Sequence, residues 1–117
     1  MKPELKKCHE RAMDLLYFLE HTNFNHTKKT ICEMVFGWDY NNSNERRTRE
    51  VVSYLASLKP IIAVSDNTGY RLAKSILDAN DIIHQLNELQ SRIDELEKRK
   101  KPLHKIYKKR KLNSITN

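Results

Sequence analysis

Glycine and proline are scarce in this 117-residue chain, with two of the first and three of the second. A many-stranded sheet needs tight turns at short intervals, so this scarcity argues against one and favours long helices. Cysteine is as sparse. Cys8 and Cys32 sit among apolar neighbours, and no CxxC or HxxxH spacing joins them to the five histidines. That pattern gives no disulfide framework or zinc site, and it predicts two reduced core thiols. No apolar run approaches membrane-spanning length, and Met1-Lys2-Pro3-Glu4 does not begin a signal peptide. The expectation is a cytoplasmic protein. A glycine-rich phosphate loop, a nucleophile elbow and a paired-carboxylate motif are all missing, so neither catalysis nor a cofactor is expected.

Charge is plentiful but uneven. The formal net charge is +7, with 32% charged against 38% apolar residues. Residues 1–77 hold twelve basic and nine acidic side chains, for +3. Residues 78–97 hold one Arg and six acids, for −5, and Lys98–Lys111 holds nine basic residues and no acid, for +9. The basicity therefore belongs chiefly to the C-terminal segment, and net charge alone does not make the N-terminal part a nucleic-acid binder.

Periodicity supplies the elements. Leu5, Cys8, Ala12, Leu15, Leu16 and Leu19 recur at spacings of three and four, which predicts a helix over about residues 4–21. Phe24 in the following polar stretch is expected to tuck inward. Thr27 or Thr30 can cap a second helix, and Thr30-x-x-Glu33 has the form of a capping box. Ile31, Met34 and Val35 would form its buried face, Gly37 its stop, and Trp38 and Tyr40 a cover for the turn. Asn42 and Ser43 are the best caps for a third helix over about residues 43–58. On it Thr48, Val51, Val52, Leu55 and Leu58 share one face, Arg46, Arg49, Glu50, Ser53 and Ser57 share the other, and Arg47 and Tyr54 lie at the margin. Pro60 stops that helix. The runs Ile61–Ser65 and Tyr70–Ala73 then read as a β-hairpin in which Gly69 can take positive φ. From Asp78 to about Lys101 a heptad follows, with Ala79, Leu86 and Ile93 at a and Ile82, Leu89 and Leu96 at d. Lys100 at a and Pro102 interrupt it, although Leu103 and Tyr107 keep the phase, which allows a kinked continuation.

The run Glu45-Arg46-Arg47-Thr48-Arg49-Glu50-Val51-Val52, with Leu55 and Leu58, resembles the recognition helix of bacterial winged helix-turn-helix domains. Lys59-Pro60-Ile61-Ile62 and Thr68-Gly69-Tyr70-Arg71-Leu72-Ala73 are similar to the wing of those domains. The stretch from Asp81 to Leu103 resembles the trailing helix of small phage and prophage members. Two features depart from that pattern: the turn from Gly37 to Ser43 is long, and the wing tip carries no Lys or Arg. The resemblance implies a mostly α fold with three helices, a two-stranded wing and a long C-terminal helix. In this reading residues 1–77 are the winged domain, 78–101 a coiled-coil helix and 102–117 a basic tail. The implied function is sequence-specific binding of double-stranded DNA by a phage or bacterial transcriptional regulator.

The expected DNA-contact set is Ser43, Asn44, Arg46, Arg47, Arg49, Glu50, Ser53, Asn67 and Arg71. Guanidiniums on a helix suit guanine O6/N7 or phosphate, and a carboxylate can accept from cytosine N4. A solvated face with Glu45 and Glu50 paired to the arginines would look the same in sequence. Ile82, Leu86, Leu89, Ile93 and Leu96 are the expected homodimer seam. A second possibility makes the domain a scaffold whose acidic helix docks another protein, as an adaptor or phage-encoded inhibitor. Folds are reused in this way.

Overall fold

A computed structural model of the chain describes residues 2–64, 69–75 and 78–116. It divides into two compact units, Met1–Ala79 and Asn80–Asn117. The first unit contains helix α1 (Pro3–Glu20), a short helix α2 (Lys28–Thr30) running into a π-helical turn (Ile31–Val35), helix α3 (Asn42–Ala56), and strands β1 (Ile61–Val64) and β2 (Gly69–Leu72). The second is helix α4 (Ala79–Thr116). The architecture is mostly helical, with one antiparallel hairpin. Among the described residues no helix is long and apolar enough to cross a membrane.

Helix α1 begins with proline at its first position, where a missing amide hydrogen costs nothing. Its stripe buries Ala12, Leu15 and Leu19 against Ile31 of the π turn and Val51, Val52 and Leu55 of α3. Leu5, placed on that stripe by spacing, lies before the packed stretch begins and is exposed. The last turn of α1 carries no basic residue of its own. Lys74, far along the chain, supplies the charge: its ammonium donates to the carbonyls of Glu20 and Thr22 and to Asn23 Oδ1.

The second helical segment departs from expectation. Thr27 caps it, accepting from the Thr30 amide, and Thr30 is already helical, so the Thr30/Glu33 capping box does not form. The Phe36 amide reaches back five residues to Ile31. That wider turn shifts the phase of the side chains. Cys32 is buried beside Ile31 as the core-thiol reading expects, while Met34, expected on the buried face, points to solvent at 71% exposure. Gly37 then ends the segment at φ 66°, and the Trp38 amide bonds to the Cys32 carbonyl.

Asn41, rather than Asn42 or Ser43, caps α3: it is extended, and its side chain accepts from the Asn44 amide. Thr48, Val51, Val52 and Leu55 are buried as the spacing predicts. Thr48 satisfies its hydroxyl by donating to the Asn44 carbonyl at 2.8 Å. The helix ends at Ala56, and both Leu58 and Lys59 amides fold back onto the Leu55 carbonyl, so Leu58 leaves the buried face and is half exposed. A helix seldom runs up to the residue before a proline, here Pro60.

In the hairpin Ile61 pairs with Leu72, Ile62 with Arg71, Ala63 with Tyr70 and Val64 with Gly69. A third backbone segment joins it, because His26 exchanges two hydrogen bonds of 2.8 Å with Tyr70. That bridge takes His26 inward, to 5% exposure, and leaves Phe24 outside it at 65%. It also explains Gly69. At φ 104° a Cβ there would stand 2.0 Å from the His26 carbonyl oxygen.

Helix α4 passes the expected end at residue 101 and continues through Pro102 to Thr116. One proline removes one backbone bond and crowds the carbonyl four residues back, a cost that a helix of 38 residues carries without terminating.

Candidate nucleic-acid interface

Because α3 is packed on Thr48, Val51, Val52 and Leu55, the opposite face is held outward by the core itself. Arg46, Arg49, Glu50 and Ser53 stand at spacings of three and four on that face and line one shallow, open groove. All four are exposed. Among the described residues Arg46 has no carboxylate partner, whereas Arg49 Nε lies 3.7 Å from Glu45 Oε1. A loose, exposed pair of that kind holds little energy and yields easily to phosphate or a base edge. Ser43 is exposed in the first turn.

The remaining sequence candidates divide. Arg47 lies with its guanidinium carbon 4.2 Å from the centroid of the Trp38 ring and donates to Asn44 Oδ1. Arg11 also approaches that ring, at 4.9 Å, and Phe36 stacks at 4.8 Å. Arg47 is thus positioned by the turn rather than free to reach out. Asn44 donates from Nδ2 to the Asp39 carbonyl at 2.8 Å, so its side chain braces the turn before α3. Arg71 is engaged within the fold. Its guanidinium pairs with Asp78 Oδ1 at 2.8 Å and donates to Asn25 Oδ1 at 3.2 Å. That bond, the Lys74 amide and the charge of Arg71 hold the Asp78 carboxyl below the usual carboxylate range. Asn67 lies outside the described residues.

Sequence reasoning overlooked the start of α2. Lys28 and Lys29 follow the Thr27 cap and, with Tyr40, Ala63, Gly69 and Tyr70, line a cavity of about 350 Å³ beside the hairpin. Lys28 is tied to Glu45 at 3.1 Å, which links α2 to α3, and Lys29 is exposed. Two lysines directly after a capping threonine were the available signal.

On α4 the heptad positions Leu86, Leu89, Ile93 and Leu96 are exposed, between 42% and 59%, and Ile82 is half-buried. Leu103, Ile106 and Tyr107 extend the exposed apolar residues beyond Pro102. Among the described residues no group of His, Cys, Asp and Glu is arranged to hold a metal ion. The two cysteines are free thiols, and burial pushes Cys8 upward. The chain matches no protein-family model, no curated protein and no solved structure.

Proposed function

We propose that residues 1–77 form a winged helix-turn-helix, that the protein binds double-stranded DNA sequence-specifically, and that it acts as a transcriptional regulator of phage or bacterial type. In this reading α3 enters the major groove. Arg46 and Arg49 donate to guanine edges or phosphates, Ser53 serves either base type, and Glu50 accepts from a cytosine amine. Arg47 and Asn44 position the leading end of the helix through Trp38 and Asp39. Helix α4 brings two copies together, so that two reading helices address neighbouring half-sites.

The observation that carries the proposal is the unobstructed stripe Arg46, Arg49, Glu50 and Ser53 on a helix whose other face is fixed in the core. The test is selection from random duplex at near-physiological salt, followed by Arg46→Ala and Arg49→Ala. Each should cost about 1–3 kcal/mol on the selected site if it reads a base. Unchanged affinity in both would remove α3 from the mechanism.

A further inference from the structure

Helix α4 continues without a break across the point where its charge changes sign. From Ala79 to Glu97 one Arg stands against five carboxylates, for −4, and from Lys98 to Lys111 nine basic residues stand against none, for +9. Both halves carry the same exposed apolar stripe: Leu86, Leu89, Ile93 and Leu96 in the acidic half, Leu103 and Tyr107 in the basic half. Lys100 alone interrupts the phase between them.

We propose that α4 pairs with α4 of a second copy in antiparallel orientation, centred between Asp94 and Glu95. This rests on the pairing of copies in the reading above and not on contact with DNA. A parallel pair would set each basic half beside its twin, and each acidic half likewise, so both ends would repel. An antiparallel pair with this centre sets each basic half against residues 78–91 of the second copy, which carry Asp78, Asp81 and Glu88 and no Lys or Arg.

Seam geometry then selects the register, because an antiparallel coiled coil layers a positions against d positions. With the stated centre Leu86 meets Leu103 of the second copy, Ile93 meets Leu96, and Ile82 meets Tyr107. Leu89 meets Lys100, whose aliphatic stem can lie along the leucine while the ammonium reaches water. The interruption in the heptad is thereby placed where a lysine is tolerated. The same register brings Asp81 level with Lys108 of the second copy and Glu88 level with Lys101. The like-charged contacts of this register are Asp94 level with Glu95 of the second copy, twice about the centre, and Arg92 beside Arg99 on one flank, exposed pairs that salt and water screen.

Single-cysteine crosslinking tests both orientation and pairing, on the full chain with Cys8→Ser as background and buried Cys32 retained. Leu86→Cys and Leu103→Cys are oxidised separately and as an equimolar mixture. In the proposed pair two copies of residue 86 lie about 26 Å apart along the axis, at 1.5 Å per residue, as do two copies of residue 103. Neither variant alone should then crosslink, and the mixture should give a covalent dimer. Self-crosslinking of either single variant would overturn the orientation and leave pairing intact. A monomeric mass for the unsubstituted chain in light scattering, with no crosslink in the mixture, would overturn pairing as well. Salt supplies an independent readout: the dimer of the unsubstituted chain should weaken several-fold from low to high ionic strength. A parallel pair, relieved of repulsion, would tighten, which would also overturn the orientation. DNA affinity of the Arg46 and Arg49 variants is read separately, so failure of one reading does not mask failure of the other.

Discussion

His26 was the least legible residue in the sequence and is among the most consequential in the structure. Nothing in a polar stretch marks a histidine as core, because its burial comes from a backbone bridge to Tyr70 across more than forty residues. Its ring lies 4.6 Å from Phe18 and 4.5 Å from Phe24, and its Nε2 meets Thr22 Oγ1 at 2.8 Å. No carboxylate is among these partners, and burial lowers its pKa from the ordinary 6.5. The unfolded chain therefore takes up this proton at higher pH than the folded one. Stability attributable to His26 is full above about pH 6.5, declines as pH falls toward the lowered folded value, and is flat below it. Urea midpoints should fall through that window more steeply for the wild type than for His26→Gln. Equal slopes would show that the ring is not the titrating group. Gly69 is the complementary case: positive φ could be read from a turn sequence, but the close approach of His26 could not.

At the scale of elements, caps and phases decide where spacing succeeds. The α1 and α3 stripes were legible because each helix packs through an α-periodic face with little distortion. The second segment was legible only in part: Ile31 and Cys32 are buried as expected, while the π turn leaves Met34 exposed. The start of α3 was misplaced by one residue in a run of four cap-capable side chains, Asn41 to Asn44. Asn41 holds the extended backbone and accepts from the Asn44 amide at 2.9 Å, so Asn41→Ala should destabilise the first unit by about 1 kcal/mol in urea unfolding. Asn42→Ala, within the first turn, should change it by only a few tenths. The reverse ranking would place the helix start where sequence reasoning put it. The exposure of Arg46, Arg49, Glu50 and Ser53 together on one face of α3 was legible for the same reason as the core face opposite them. The bonds of Arg71 to Asp78 and Asn25 were not legible, because tertiary structure brings those partners to it.

At the scale of the whole molecule, two kinds of cation have to be distinguished. Those on α3 sit on a face fixed by the core and, in the proposed function, discriminate among sequences. Those at Lys105, Lys108 and Lys109 lie off the a and d positions of α4, exposed on its basic half. Such lysines release counterions from any duplex, which adds affinity without preference. In an antiparallel pair they would also be partly neutralised by the acidic half alongside, so their contribution should be smaller than the raw +9 suggests. Replacing all three with Gln should leave the ranking of duplex sequences unchanged while lowering affinity for every one of them. The slope of log affinity against log salt should become shallower by at most about 0.9 for each phosphate that is no longer neutralised. Arg46→Ala should do the opposite, compressing the difference between selected and random duplex. If the triple substitution altered sequence preference, α4 rather than α3 would be touching bases. If it left the slope unchanged, the basic half of α4 would face the second copy alone, and binding to DNA would fall to the first unit.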